Sequence, residues 1–410
     1  MLDFFKQVAS TPRGVPHLTI GGEPMTREQE NVHTLFAGAT GVGKSTGVVE
    51  MLDGITKRGD RMIIADPNGW YVSRFFQKGD TILNLFDARS PGWNPFNEVR
   101  REYDFDKIAR SIVPDGHGAD GPWHFFSQVL IAAVMRALMA RGSNTTAALI
   151  ETLTVTSSEE LKQLVVGTAA AGLFDRDSAK ALASTRFILS SYLQAYCYLK
   201  PGDFSLRGWL ESRRGNLFLT WREDMSVTLA PLIACWVDVL CAATLSQSVD
   251  DSRRLWLVLD ELASLGKIGS LEAALTKGRK HGLCCVAGLQ STAQLDRVYG
   301  REAAVVLRSC FRNFVAFAIA KIDPETTEVF SKALGEREVD RAVETHSRGI
   351  QGSSKSVSVQ RIRERLVLPN QINELPDLSA YLALAGKRPA VLIELAVRER
   401  RQVVEPIMEE

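Results

Sequence analysis

Between residues 33 and 46 the chain restricts its own choice of fold more than anywhere else. An apolar stretch, residues 33–37, runs into Gly38-Ala39-Thr40-Gly41-Val42-Gly43-Lys44-Ser45, and a helical pattern opens at about Thr46. Every fixed position of GxxxxGK[ST] is filled, with a strand before it and a helix after it. Glycines there let backbone N–H groups turn inward, and the helix N-terminus adds a positive field, so the loop is built to hold a phosphate. Lys44 is placed to neutralise charge between β- and γ-phosphates, and Ser45 to ligate Mg²⁺. A glycine-rich turn with an exposed lysine is the plainer alternative, and the strand–loop–helix context argues against it. Residues 38–46 are therefore the expected nucleotide contacts, with ATP and Mg²⁺ as the expected ligands.

The rest of the chain fits an α/β fold around that loop. Strand-like runs recur at residues 61–65, 81–86, 216–221, 255–259, 283–288, 314–319 and 391–396. Several are unbroken apolar stretches, which suits a sheet buried on both faces. Helical periodicity lies between them, as at 46–57, 269–280 and 325–334. From about Pro91 to Lys200 strand signals vanish, and residues 125–141, 144–153, 158–166 and 178–199 read as amphipathic helices. About 110 residues without a strand exceed any ordinary loop. The expected division is an α/β domain from residues 1–90 and 201–410, interrupted by an all-α domain at 91–200. The N-terminal segment to Arg27 is rich in turn residues, including Pro12 and Gly14. The Ser/Gly-rich segment 347–359 reads as a mobile loop or hairpin tip.

Composition removes several functional classes. With 49 basic and 48 acidic residues the net charge is +1, so any nucleic-acid or membrane surface must be a local patch. The six cysteines show no CxxC spacing and no HExxH occurs, which argues against a disulfide framework or a structural zinc site. The longest apolar runs are interrupted by Arg136 and Asp238, short of the roughly 20 residues a membrane span needs. The opening residues, MLDFFKQVASTPRG, lack the apolar core of a secretory signal.

Three further residues or pairs sit where chemistry is expected. Leu255-Trp256-Leu257-Val258-Leu259 ends in Asp260-Glu261, two carboxylates at the end of a buried strand, where open α/β sheets bind ligands. Asp260 would hold the Mg²⁺ shell through water, and Glu261 would polarise the attacking water as general base. The plainer reading of Asp260 is a helix N-cap; beside the phosphate loop the catalytic reading prevails. Gln290 follows the apolar run 283–289 and either senses the γ-phosphate or merely ends a strand. Arg279, in the cluster Lys277-Gly278-Arg279-Lys280-His281, is either an arginine finger for a neighbouring subunit or a solvated helix end.

The segments GATGVGKST, LWLVLDELASLGKI, KGRKHGLCCVAGLQS and ERLVLPNQINELPDLSAYLALAG, with HTLFAG and ADPNGW, resemble the type IV secretion coupling proteins (TraD/TrwB-like ATPases). The resemblance runs from about Leu18 to Leu395. It implies a RecA-like nucleotide-binding domain with an inserted all-α domain, a ring-shaped homo-hexamer, and DNA-dependent ATP hydrolysis. It further implies coupling of relaxase-bound, single-stranded DNA to a secretion channel in bacterial conjugation, at the cytoplasmic face of the inner membrane. Lys44 and Ser45 fall on the family's nucleotide loop, Asp260 and Glu261 on its magnesium and base positions, Gln290 on its sensor and Arg279 on its finger. Family members usually begin with two transmembrane helices; with none visible, the chain reads either as a soluble part of such a protein or as a member that lacks the anchor. A double-stranded DNA pump, an ATP-switched receptor for secretion substrates and a metabolite kinase are the competing readings. Glu261 argues against a pure switch, and size and the DELASL segment against a kinase. Lys267, Lys277, Arg361, Arg363 and Arg365 are candidates for DNA contact, with an ordinary solvated charge as the plainer reading of each, and Trp123 either stacks on a base or belongs to the core.

Overall fold

The computed structural model of the chain describes residues 16–116, 118–175, 178–349 and 352–409. The residues before position 16, with Pro12 and Gly14, lie outside the described residues. A short ribbon comes first: β1 (Leu18–Ile20) and β2 (Glu23–Met25), antiparallel and joined at Gly21-Gly22. Both glycines have positive φ, +57° and +78°, as the primed turn of a two-residue hairpin requires. The main sheet then takes β3 (Thr34–Ala37), β4 (Arg61–Pro67), β5 (Thr81–Leu83), β6 (Leu217–Trp221), β7 (Leu255–Leu259), β8 (Leu283–Leu289) and β9 (Asn313–Ala316). A separate hairpin follows, β10 (Glu336–Gly349) and β11 (Gly352–Arg365). Finally β12 (Ser379–Ala383) and β13 (Val391–Glu394) return to the sheet.

Among the described residues the sheet has nine strands in the order β13-β12-β9-β3-β8-β7-β4-β6-β5. The seven from β9 to β5 are parallel, and β12 and β13 are added antiparallel at one edge. This is an α/β RecA-like P-loop fold with a helical part. The strand that carries the phosphate loop, β3, is separated from the one that carries Asp260, β7, by the intervening β8.

The unbroken apolar runs are explained by two-sided burial. Leu255, Leu257 and Leu259 join one core; Trp256 and Val258 join the other. The first core is roofed by helices Asp104–Ile112, Gly121–Ala140, Thr146–Thr154, Ala179–Leu193, Leu206–Ser212 and Ser226–Leu245. No strand lies between β5 and β6 among the described residues. The second core is closed by helix Lys44–Arg58 and the β1–β2 ribbon. Helices Gly118–Ala140 and Glu223–Leu245 are long and apolar enough to cross a membrane. In the fold, half of the apolar stretch of the first and 61% of that of the second are buried inside the protein. Asp238, inside the second, takes a 2.5 Å hydrogen bond from Ser111 Oγ and another from the Ser270 amide. Arg136, inside the first, pairs with Asp106 at 2.6 Å.

Several expectations need correction. The run 81–86 is strand only to Leu83, because Asn84 turns the chain: its Oδ1 accepts from Phe86 N and its Nδ2 donates to Thr220 Oγ1, at 2.9 and 2.8 Å. The helix expected at 269–280 runs from Leu271 to Lys277 and passes into a 3₁₀ turn, Gly278–His281. Of the two readings of segment 347–359, the hairpin end holds: residues 347–349 and 352–359 lie in the paired strands of a long hairpin, and residues 350 and 351 lie outside the described residues. The hairpin's base carries ionic rungs between directly opposed residues, Asp340–Arg361 at 2.9 Å and Glu338–Arg363 at 3.6 Å. Ser/Gly content hides the strand character, which comes from pairing with the strand that directly precedes it.

Candidate nucleotide site

Parallel strands deliver their C-terminal ends to one edge of the sheet, and the chemistry-bearing residues gather there. From β3 comes the phosphate loop. Gly38 N donates to Leu289 O and Ala39 N to Ala318 O, at 3.1 and 2.8 Å, which ties the loop to β8 and to the segment after β9. Gly41 and Gly43 have φ of +85° and +114°, conformations that an L side chain rarely adopts. A Cβ on Gly41 would point into open space, whereas one on Gly43 would meet Leu378 Cδ2 at 3.0 Å. Leu378 itself holds the loop, donating its amide to Val42 O at 2.8 Å. Helix Lys44–Arg58 starts directly behind Gly43, so its first amides have no intrahelical acceptor and face the loop.

Lys44 is buried, and its Nζ donates to Gly38 O and Ala39 O at 2.8 and 2.7 Å. Burial pushes its amine down, against the pull of the Glu261 and Asp260 charges. Ser45 is exposed at the mouth of the loop, and its Oγ donates to Asp260 Oδ2 at 3.0 Å. Thr46 occupies the first helical turn. The sequence motif thus meets the strand-end carboxylate across 215 residues.

Asp260 does not act as a capping acceptor for the turn that follows; Glu261 is the residue before 3₁₀ turn Leu262–Leu265, with no side-chain cap bond. Asp260 Oδ2 receives two donors, Ser45 Oγ and the Tyr71 hydroxyl at 2.8 Å. Its Oδ1 is shielded from solvent with no hydrogen-bond partner among the described residues. A carboxylate oxygen in that condition is costly unless something positive meets it. Together with the adjacent serine hydroxyl it fits the oxygen-ligand preference of Mg²⁺. Burial pushes the Asp260 carboxyl up, opposed by the Tyr71 and Ser45 hydrogen bonds and the Lys44 charge.

Glu261 is met by Gln290 from the end of β8, whose Nε2 donates to Glu261 Oε2 at 2.8 Å. Glu261 Oε1, like Asp260 Oδ1, is shielded and unpartnered among the described residues. Burial raises this carboxyl too, against the Gln290 bond and the Lys44 charge. β8 approaches so closely because residue 288 is glycine: a Cβ there would lie 1.7 Å from Asp260 O.

Arg279 is not brought to this edge. It lies exposed in turn Gly278–His281, which leads into the N-terminal end of β8. The seven residues of β8 put it roughly 20 Å from Gln290 along the strand. Among the DNA-contact candidates, Lys267 Nζ donates to Asp115 O at 2.7 Å, Arg361 and Arg363 are spent on the hairpin rungs, and Arg365 pairs with Glu328. Lys277 is exposed. Trp123 is half-buried, its ring 6.0 Å from that of Phe126, which is a packing role.

Two residues of the site escaped the sequence reading. Tyr71 is 2% exposed and is presented by a turn after β4. Asp66, at the end of β4, fixes that turn by accepting from Tyr71 N at 3.0 Å and Val72 N at 2.6 Å. Its burial pushes the carboxyl up to about 7 despite those bonds. A usable signal was present: MIIAD closes a buried strand with a carboxylate just as LWLVLD does. The C-terminal tail packs on the outside of the same turn. Val403 N donates to Ser73 O at 2.7 Å, and Arg400 Nη1 to Arg74 O at 2.9 Å.

Comparison with known proteins agrees with this geometry. The family described as the type IV secretion-system coupling protein DNA-binding domain matches residues 17–396. The coupling protein TraD of Escherichia coli (strain K12) is 30% identical over 399 residues, which covers 94% of this chain and 55% of TraD. The chain thus spans about half the length of that relative. Structures of the plasmid coupling protein TrwB in complex with ADP and Mg²⁺, and with the non-hydrolysable ATP analogue ADPNP, are each 41% identical with a TM-score of 0.90. Each comparison covers 99% of this chain and 94% of the chain in the solved structure. A match across nearly the whole chain, in sequence and in fold, places it: this protein belongs to the type IV secretion-system coupling protein family.

Proposed function

We propose that the chain is the ATP-hydrolysing part of a conjugative DNA-transfer motor, taking ATP as substrate with Mg²⁺. The observation that carries this reading is the convergence of Lys44, Ser45, Asp260, Glu261 and Gln290 on one sheet edge, with two shielded carboxylate oxygens left unpartnered. Asp260 Oδ1 and Ser45 Oγ are the atoms that would hold Mg²⁺, and the ion supplies positive charge beside the β- and γ-phosphoryl oxygens. Residues 38–46 wrap the phosphates with backbone amides. Lys44 adds a fixed cation. Glu261, its carboxyl raised by burial, takes the proton of the attacking water. Gln290 orients Glu261 and links its state to β8. The relatives' nucleotide complexes support the same ligand set.

The same reading assigns residues 1–90 and 201–410 to the nucleotide-binding domain and 91–200 to the helical one. It makes Arg279 a finger that serves a neighbouring subunit of a homo-hexamer, since its exposed position on the far edge keeps it from its own site. The family's description as a DNA-binding domain supports DNA as partner. Single-stranded DNA delivered by a relaxase to a type IV secretion channel, at the cytoplasmic face of the bacterial inner membrane, completes the proposal.

The test is ATP turnover across protein concentration, with and without single-stranded DNA. The reading predicts turnover that rises more than linearly with concentration and rises further with single-stranded DNA. Equal stimulation by double-stranded DNA would favour a duplex pump. Turnover per chain that is independent of both DNA and concentration would overturn the motor reading.

A further inference from the structure

Asp260 has two oxygens with opposite fates. Oδ2 carries two hydrogen bonds, from Ser45 Oγ at 3.0 Å and from the Tyr71 hydroxyl at 2.8 Å, while Oδ1 is shielded with no partner among the described residues. Nothing in the backbone of a strand end fixes the rotation of an aspartate carboxyl. What distinguishes the two oxygens here is the pair of donors on one of them. Ser45, however, is itself a candidate metal ligand, so its hydrogen bond to Asp260 is the one given up when its Oγ turns toward an ion. The Tyr71 hydroxyl is then the donor that remains.

Tyr71 is built to keep that position. Its ring is 2% exposed and lies edge-on to Trp70, centroids 5.1 Å apart. Its amide is held by Asp66 Oδ1 and the next amide by Asp66 Oδ2. The turn beneath is closed from outside by the tail, where Gly69 leaves so little room that a Cβ would meet Pro406 O at 2.3 Å. A phenol fixed from three sides, with its one polar atom aimed at one carboxylate oxygen, does more than fill space.

We propose that Tyr71 is a positioning residue for the metal ligand: its hydroxyl pins Asp260 Oδ2 and so keeps Oδ1 available to Mg²⁺. The proposal rests on Asp260 holding Mg²⁺, as argued above. A hydrogen bond to a charged group is strong enough for its loss to change an affinity by about tenfold or more.

The experiment titrates Mg²⁺ into the full 410-residue chain with a fluorescent ADP analogue bound, reading the Mg²⁺-induced change in fluorescence, for the parent, Tyr71→Phe and Asp260→Asn. Tyr71→Phe is expected to raise half-saturating Mg²⁺ by about tenfold. ADP-analogue affinity in EDTA and the melting temperature of the nucleotide-free chain are expected to stay near the parent's. A role confined to packing would lower those two instead and leave the Mg²⁺ midpoint in place. Para-aminophenylalanine at position 71 restores a donor at the same reach and is expected to return the midpoint toward the parent value. This variant also carries the test should Tyr71→Phe fail to fold. An unchanged Mg²⁺ midpoint in Tyr71→Phe, or no recovery with the amino donor, overturns the proposal. An unchanged midpoint in Asp260→Asn overturns the metal-site reading itself, so the two failures are told apart.

Discussion

Gly288→Ala is the smallest change that tests whether the spacing of β7 and β8 sets the site. The added Cβ would lie 1.7 Å from Asp260 O and 2.7 Å from its carbonyl carbon. An ordinary carbon–oxygen contact is about 3.3 Å, so the strands must separate there by roughly 1.5 Å. Backbone is met, not the end of a flexible side chain, so the strain cannot be relieved by a rotamer change. Overpacking of this kind costs about 1–3 kcal/mol, a drop of several degrees in melting temperature for a chain of this size. The displacement falls on Asp260 and Glu261 relative to Lys44. A misplacement of about 1 Å at a reacting centre can cost about a hundredfold in rate. ATP turnover at saturating ATP and Mg²⁺ is therefore expected to fall about a hundredfold, well beyond any loss of nucleotide affinity. Turnover within threefold of the parent, with the melting temperature unchanged, would refute the claim that close approach of the two strands matters.

Glu261→Gln should still bind ADP and Mg²⁺ yet turn over at least roughly a hundredfold more slowly, as for a lost general base; loss of binding in an equilibrium titration would make Glu261 structural or a direct ligand. Arg279→Ala chains mixed with Lys44→Ala chains should recover activity, because the second supplies an intact arginine to the first's nucleotide site; no recovery in mixed rings verified by mass would remove Arg279 from catalysis. His33 is buried, accepting from Cys285 N at Nδ1 and bonding Leu275 O through Nε2, and burial pushes its imidazole down to about 4 despite the bond to Leu275. As pH falls from 6.5 to 4 the unfolded chain therefore takes up this proton first, and about 3 kcal/mol present above pH 6.5 is lost across that window. Asp66, raised to about 7, contributes the opposite slope, so the readout is the difference in urea-denaturation stability between the parent and His33→Asn; a pH-independent difference would contradict the assignment.

What the sequence disclosed, and what it did not, follows from the range of the forces involved. The phosphate loop was legible because each of its demands is local: glycine where φ is positive, a strand behind, a helix ahead. Strands β4, β7 and β8 were legible because burial on both faces leaves an unbroken apolar run. β12 was missed since Ser-Ala-Tyr-Leu-Ala alternates weakly, and its strand character comes from β9 and β13 on either side. The hairpin's end was legible but its length was not, because its rungs pair residues such as Asp340 and Arg361, whose meeting no local composition announces. Tyr71 was invisible for the same reason: its bond to Asp260 spans 189 positions. Asp260, Glu261 and Gln290 were placed near the loop by analogy of position, and their geometry supports that placing. Arg279 was drawn from its basic cluster and strengthened by the resemblance, and the fold sets it in an exposed turn at the opposite edge of the sheet, away from Gln290.

The central claim is that residues 38–46, Asp260 and Glu261 form one site that hydrolyses ATP. Single-turnover hydrolysis of γ-labelled ATP, with protein in excess, compares the parent with Lys44→Ala directly. The account predicts release of labelled phosphate by the parent and none above background by Lys44→Ala, which keeps the parent's circular dichroism spectrum. Release at the parent's rate by folded Lys44→Ala would contradict it and put the nucleotide chemistry elsewhere in the molecule.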